Sequence, residues 1–388
     1  MRSRLFIIVS IVQGILFLGH GFIYATAAFF WGSLGSSWAI KLALGLLSVS
    51  FVLASLAGWY SHTALARIFY VLAAVWLGFA GLFLVASGLC WMTFGAATFM
   101  KLGWTRAHIA DAFFGAAVAT GLYGLLNAAV VRVTRINVAL ANLPPQWRGR
   151  TAALVSDLHL GHIRNARFVR RVVQKLSALQ PDVVFIAGDL YDGVAADFER
   201  LAKPWQELVS AGASARAWNS QPGAGHRMTT PPLGVYYIAG NHEEFYSDAE
   251  YLPPLLRSGI RVLNNEKIEL DGVQLLGIHY RDAAIPERYQ TLLQAMNLDR
   301  SRPSILLLHA PVRLPVSDAA GVSLQLSGHT HGGQFFPGTW VARRVWGKFN
   351  HGLQSFGKLM VFVTYGAGTW GPPMRIGTWS EVVLIKFE

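Results

Sequence analysis

Four apolar stretches near the start of the chain decide what it can become: Leu5–Ala28, Ile40–Tyr60, Ile68–Trp91 and Ile109–Val131. Each reaches the length of about 20 residues that a helix needs to cross a bilayer. The charge distribution agrees. Residues 1–150 hold ten of the 33 Lys/Arg and one of the 21 acids, Asp111. A uniform soluble globule does not segregate charge in this way, and a disordered chain would not be 53% hydrophobic. The single cysteine, Cys90, excludes an intrachain disulfide scaffold. The excess of Lys/Arg lies beside and between apolar runs, where a membrane accounts for it, so nucleic-acid binding is not expected.

The first apolar run is too long for a signal peptide and three more follow, so cleavage is not expected. Arg2 and Arg4 precede the first span, and Arg132, Arg135, Arg148 and Arg150 follow the fourth. Both flanks therefore point to the cytoplasmic side, although Lys101 and Arg106 lie in a loop this orientation places outside. Trp31, Trp38, Trp59, Trp91 and Trp104 fall near the expected interfaces. Asp111 and His108 start the fourth span and suit an interfacial role, and His20 suits a backbone or headgroup partner. Gly78, Gly81 and Gly88 suit close packing between helices. The chain divides into a four-helix transmembrane region over residues 1–135, a basic linker over 136–150 containing Pro144–Pro145, and a second domain over 151–388.

From Thr151 short apolar runs alternate with amphipathic stretches, an α/β pattern. Strands are predicted at Ala152–Val155, Val183–Ala187, Val235–Ala239, Ile305–Leu308, Ser323–Leu326, Met360–Tyr365 and Val382–Phe387. Asp271–Gly272 between Ile268–Leu270 and Val273–Ile278 signals a hairpin. Helices are predicted at Ala166–Leu179, Leu201–Val209 and Glu250–Ser258. Residues 210–232, rich in Ala, Gly, Ser and Pro, are predicted to be an inserted surface loop.

Five strands end in polar clusters: Ser156-Asp157-Leu158-His159, Gly188-Asp189-Leu190-Tyr191-Asp192, Gly240-Asn241-His242-Glu243, His309 alone, and Gly328-His329-Thr330-His331-Gly332-Gly333-Gln334. Ligands of open α/β sheets bind at the carboxyl ends of strands, so these clusters converge. Mixed oxygen and imidazole donors suit Mn²⁺, Fe²⁺ or Zn²⁺. Seven donors are too many for one tetrahedral site. They suit two ions about 3.5–4 Å apart that share a carboxylate, an arrangement that activates water and steadies charge on a phosphoryl group.

These elements, in this order, resemble the calcineurin-like metallophosphoesterase family across residues 150–388. With Gly328–Gln334 and Tyr365–Arg375, they look most like its membrane-anchored bacterial branch, which includes enzymes similar to UDP-2,3-diacylglucosamine pyrophosphohydrolases. The resemblance implies two mixed β-sheets sandwiched between helices. It implies that one metal ion is held by Asp157, His159, Asp189 and His331, and a second by Asp189, Asn241, His309 and His329, with Mn²⁺ favoured. It implies that His242 touches the phosphate and protonates the leaving oxygen, with Glu243 orienting His242. The implied activity is hydrolysis of a phosphodiester or pyrophosphate bond by a hydroxide bridging the metals, on a substrate that shares the bilayer surface, such as UDP-2,3-diacylglucosamine. The implied location is the bacterial inner membrane, multi-pass, with the catalytic domain cytoplasmic.

A general phosphodiesterase or phosphatase on nucleotides or phosphoproteins is the alternative, and a non-catalytic membrane sensor a third reading; no protein partner can be inferred. His279 stands where the branch more often carries an acidic pair, with Asp282 nearby as a replacement. His162, His351 and Arg375 are candidate phosphate neighbours, and His226 lies in the expected insertion. Asp192 reads as a loop cap, and Arg164, Arg167, Arg170, Arg171 and Lys175 as a solvated helix face.

Overall fold

The computed structural model describes residues 2–33, 35–218 and 231–388. The chain divides into two compact units.

The first unit comprises residues 1–127 and 371–376. It contains helices α1 (Arg2–Trp31), α2 (Trp38–Tyr60), α3 (Ala64–Phe99) and α4 (Arg106–Ala129), all long and apolar enough to cross a membrane. Ser37 and Thr63 cap α2 and α3 by accepting the Ile40 and Ala66 N–H. Ala54, Ala73, Ala74, Ala80 and Ala86 are buried, while Leu18, Leu65 and Leu126 face outward. Such helices bring small residues together and show large apolar ones to lipid. The polar side chains are satisfied locally. His20 sets Nδ1 2.8 Å from the Leu16 carbonyl and accepts from Trp76 Nε1 at 2.9 Å, and Asp111 accepts from Trp31 Nε1 at 2.8 Å.

Gly78 does not serve helix packing. A Cβ there would meet Met374 Sδ at 2.6 Å. Gly121 does admit a neighbouring helix, against the ring of Phe79. The segment Gly371–Ile376 belongs to this unit: Met374 is fully buried, the Arg375 N–H donates to Gly124 O, and Asn127 Nδ2 donates to Arg375 O.

The second unit comprises residues 128–370 and 377–388. Its strands are β1 (Val131–Val138), β2 (Thr151–Val155), β3 (Val183–Ala187), β4 (Val235–Ile238), β5 (Arg261–Val262), β6 (Glu266–Leu270), β7 (Val273–Gly277), β8 (Ser304–Leu307), β9 (Leu324–Ser327), β10 (Gly352–Phe356), β11 (Leu359–Val363) and β12 (Ser380–Phe387). Its helices are α5 (Ala166–Leu179), α6 (Phe198–Trp218), α7 (Asp248–Arg257), α8 (Tyr280–Ala284), α9 (Pro286–Ala295), α10 (Leu314–Ala320) and α11 (Gly338–Trp346).

One sheet has the order β1-β12-β2-β3-β4-β5 and the other β10-β11-β9-β8-β7-β6. Both are mixed. β2, β3, β4 and β5 run parallel in the first, as do β11, β9, β8 and β7 in the second. Between the sheets Leu154, Phe185, Ile238, Leu275, Leu307, Leu326, Phe362 and Ile385 form one buried apolar core. Phe168, Val172, Leu176, Trp205 and Leu255 seal helices against the first sheet, and Tyr289, Leu293 and Leu314 against the second. Strands buried on both faces read as continuous apolar runs, which is why their positions were predictable.

Two sequence expectations need correction. The stretch 136–150 is not a linker. β1 pairs in parallel with β12 over its whole length, Leu140, Leu143 and Trp147 are buried, and Trp147 Nε1 donates to Leu270 O at 2.9 Å. The fourth helix accordingly ends at Ala129, before the strand begins. Residues 210–218 are not loop but the continuation of α6. Ala211, Ala213, Ala215 and Ala217 favour a helix, since alanine loses the least side-chain freedom there. The rest of the expected insertion, with His226, lies outside the described residues.

Candidate metal centre

The carboxyl ends of β2, β3 and β4 deliver Asp157 and His159, Asp189, and Asn241 with His242. The corresponding ends of β8 and β9 deliver His309, then His329 and His331. Asp157, His159, Asp189, His329 and His331 all hold positive φ, between 48° and 71°. A non-glycine residue in that region costs about 1–3 kcal/mol. Hydrogen bonds hold the strained turns: Asp157 N–H donates to Gly188 O, His159 N–H to Asp189 O, and His329 N–H to Asp157 Oδ1. Two glycines give the carboxylates room. A Cβ at Gly328 would stand 2.1 Å from Asp157 Oδ2, and one at Gly240 2.2 Å from Asp189 Oδ1.

The seven expected ligand residues come together. On one side His331 Nε2 lies 3.4 Å from Asp157 Oδ1 and 2.9 Å from His159 Nε2. On the other, His309 Nε2 lies 3.2 Å from Asn241 Oδ1 and 3.2 Å from His329 Nδ1. Asp189 Oδ2 stands between them, 3.2 Å from His309 Nε2 and 3.7 Å from His159 Nε2. Within each of two trios, Asp157–His159–His331 and Asp189–His309–His329, the ligand atoms lie within 4.8 Å of one another.

Supporting contacts aim the rings. His159 Nδ1 sits 3.1 Å from Asp192 Oδ1, His309 Nδ1 2.8 Å from Ala187 O, and His242 Nδ1 3.0 Å from Asp192 O. Each acceptor holds the Nδ1 proton and turns Nε2 of His159 and His309 toward the cluster, the nitrogen that a cation would take in place of a proton. Ring nitrogens that face one another at 2.9–3.2 Å are a good cradle for cations.

Electrostatics give the same answer. Burial raises the Asp157 carboxyl above its ordinary range, only partly offset by His309. Burial opposes ionisation of Asp189 as well, but the charge and hydrogen bond of His309 hold it well below that range. His309 is in turn depressed by burial but carried up to about 10 by the Asp189 charge and hydrogen bond. Burial and the His309 charge push His329 down to about 3. The buried carboxylates therefore recruit a proton onto His309 as their counter-charge. Divalent ions fit this donor set and would supply that charge.

Two residues act differently from expectation. Glu243 is not the group that orients His242. Its carboxylate accepts the N–H of Gly240 at 2.7 Å and those of Asp189 and Tyr191 at 3.0 Å, clamping the β3 turn to the β4 turn. Burial and the Asp189 charge raise it to about 7, against the pull of those N–H groups. His242 is oriented by Asp192 O and by its own N–H, which donates to Asp189 Oδ1 at 2.9 Å. Burial and His159 lower its imidazole. Asp192 is thus more than a loop cap, since it steers both His159 and His242. Only the D-x-H and G-D spacing, which puts both turns beside one sheet edge, hinted at it.

The remaining candidates fall elsewhere. His279 caps α8, accepting from the Arg281 N–H, and Asp282 is bound to Asn265 and Arg288. Tyr280, which sequence reasoning missed, stands by the ligands instead, its ring 5.9 Å from His309 and 5.8 Å from His329. His351 stacks on Tyr365 at 3.6 Å and pairs with Glu381 at 3.1 Å. Arg375 belongs to the first unit. His162 is buried. Arg164 is no solvated face: it is buried, donates to Ala128 O and lies over Phe168, and burial lowers it to about 10.

Two mixed sheets between helices, with carboxylate, amide and imidazole donors at the ends of five strands, define a metallohydrolase-type centre. The calcineurin-like phosphoesterase family profile matches residues 151–333. An uncharacterized metallophosphoesterase of Aquifex aeolicus is 30% identical over 281 residues, covering 70% of this chain and 97% of its own. A transmembrane protein with metallophosphoesterase domain from Danio rerio is 32% identical over 283 residues, 69% of this chain and 60% of its own length. An uncharacterized metallophosphoesterase of Campylobacter jejuni is 29% identical over 275 residues, covering 69% and 66%. The match thus spans less than two thirds of these last two relatives. The chain belongs to the calcineurin-like phosphoesterase family.

Proposed function

We propose that this protein is a membrane-anchored phosphoesterase that works with two divalent ions, Mn²⁺ favoured, on a phosphodiester or pyrophosphate bond of a lipid-linked substrate. The observation that carries this reading is the position of Asp189 Oδ2 between the His159 and His309 sides of one buried donor set. Asp157, His159, Asp189 and His331 would hold one ion, and Asp189, Asn241, His309 and His329 the other. Such ions, when bound, lower the pKa of a water nucleophile and offset charge on the phosphoryl group.

The chain's own residues do the rest. Asp192 O holds the His242 Nδ1–H, so Nε2 is the nitrogen that can hold and release a proton toward a leaving oxygen. A phosphoryl anion beside the ring favours its protonated form. Glu243 keeps the Asp189 turn in place. Trp370 and Phe245 flank the His242 ring, at 6.0 Å and 5.7 Å, and give its approach an apolar border. The four apolar helices and the flanking arginines support a multi-pass protein of the bacterial inner membrane with this domain on the cytoplasmic side. The membrane-anchored bacterial branch of the family and UDP-2,3-diacylglucosamine are the specific reading.

The test is activity of full-length protein in detergent, stripped of metal and reloaded with Mn²⁺, on UDP-2,3-diacylglucosamine and on a generic aryl phosphodiester. Faster cleavage of the lipid nucleotide supports the reading. Cleavage of the aryl ester alone removes the lipid substrate. No cleavage by protein that holds its metal removes the enzyme. His242→Ala should keep both ions and lose about 10²–10⁴-fold in kcat; unchanged turnover would dismiss His242 as the proton donor.

A further inference from the structure

The chemistry above uses no side chain of α11. Yet this helix carries the most conspicuous exposed apolar surface of the second unit. Trp340 is 55% exposed, Val341 47% and Val345 65%, with Phe336, 53% exposed, one residue before the preceding proline. Trp340 with Arg344 and Val341 with Val345 are four residues apart, so they line one face of the helix. Ala342 is its buried anchor and Trp346 meets the His329 ring at 5.6 Å. In water such a face is a liability.

The charge around it is one-sided. Between Asp318 and Glu381 the chain carries no acid, while Arg343, Arg344 and Lys348 cluster on and just after α11. All three are exposed, and among the described residues none makes an ion pair. Arg344 lies over the Trp340 ring at 5.1 Å, its stem along the apolar face. A short helix with aromatic and aliphatic residues on its outer face and arginine and lysine around them has the composition of a segment that lies in the headgroup layer.

The surroundings point to the same partner. Gln334, three residues beyond the ligand His331, accepts the Trp370 N–H at 2.7 Å and donates to Trp370 O at 2.9 Å. Trp370 is itself 58% exposed. The chain then runs directly into Gly371–Ile376, the segment packed among the apolar helices. Trp370, tied to the Gln334 that lies two residues before Phe336, is thus the residue next in sequence to that segment.

We infer that α11, with Phe336, is an interfacial helix that docks on an anionic bilayer surface and holds the rim of the metal centre against the leaflet. Phe336, Trp340, Val341 and Val345 enter the acyl boundary, and Arg343, Arg344 and Lys348 meet lipid phosphates. The partner is the lipid surface, because exposed apolar side chains and cations share one short helix in a chain that also carries four helices long and apolar enough to cross a membrane. The inference rests on the chain being a membrane protein and not on the reaction. Docking without hydrolysis would keep the helix and drop the enzyme.

The test uses the full chain in nanodiscs. In a Cys90→Ser background, Val345→Cys carries an environment-sensitive fluorophore, and Arg170→Cys on the exposed face of α5 serves as control. The Val345 label should emit to the blue of the Arg170 label. Shallow doxyl lipids should quench it at least twofold more strongly in discs with 30% phosphatidylglycerol, and quenching should fall with salt or in all-phosphatidylcholine discs. Arg343→Glu/Arg344→Glu/Lys348→Glu should reduce the quenching, with unchanged metal content reporting an intact fold. A Val345 label that stays in water overturns the proposal. A blue-shifted label that doxyl lipid cannot quench overturns it too, because a protein surface then covers α11.

Discussion

Replacing Glu243 separates the clamp from any role in steering His242. The side chain is buried and its two oxygens accept three backbone N–H groups, Oε2 those of Asp189 and Gly240 and Oε1 that of Tyr191. In Glu243→Gln the amide oxygen can keep the doubly used position. The amide nitrogen then faces the Tyr191 N–H, donor against donor. A buried donor left unpaired costs about 1–3 kcal/mol. Asp189, two residues from Tyr191, is the one ligand common to both halves of the site. If that energy acts wholly on the Asp189 turn, the affinity for the second metal ion falls by about 5- to 150-fold. Glu243→Ala orphans all three donors and should lose metal before it loses the rest of the fold. The assay is metal stoichiometry by elemental analysis against a graded chelator, beside kcat with Mn²⁺ in excess. Excess metal should return most of the activity of Glu243→Gln. A variant with full metal affinity and low kcat would refute the clamp and restore an orienting role on His242.

Asp192→Asn should weaken metal binding or activity by about 10–100-fold, as loss of a partner behind a ligating histidine does; rescue by Asp192→Glu but not by Asp192→Ala would separate orientation from packing. Burial would raise the Glu381 carboxyl, but the hydrogen bond and charge of His351, then Thr134 and Tyr365, hold it at about 2 against an ordinary 4.5. A depressed carboxyl adds stability above its unfolded pKa and loses it as pH falls through the folded one, so about 3 kcal/mol should vanish between pH 4.5 and 2. Thermal unfolding of metal-free wild type and Glu381→Gln across that range checks this, and equal pH slopes would refute it.

The ligand positions were legible because each follows directly on a buried parallel strand and because metal chemistry demands a side chain of a given type. The hairpin at Asp271–Gly272 and both ends of α5 were legible from local chemistry as well. β1 was not. Its partner β12 lies some 250 residues away, and Arg132 and Arg135 on its exposed positions look the same in a strand as in a basic linker. The extension of α6 was hidden by the glycines and prolines that follow it.

The supports of the metal centre were hidden for a deeper reason. His309 is aimed by the carbonyl of Ala187 and His242 by the carbonyl of Asp192. Every residue type offers a carbonyl, so no residue letter records the contact. Glu243 shows the converse: its letter is informative, but what it binds is three backbone N–H groups whose convergence only the fold creates. Side chains that touch the metal are selected for chemistry and can be read from sequence. The groups that aim them are selected for position, and position belongs to the backbone. Substitutions at Ala187 should therefore leave the His309 tautomer intact so long as the strand keeps its path, whereas Gly188, whose Cβ would stand 2.6 Å from His309 Nδ1, should tolerate nothing larger.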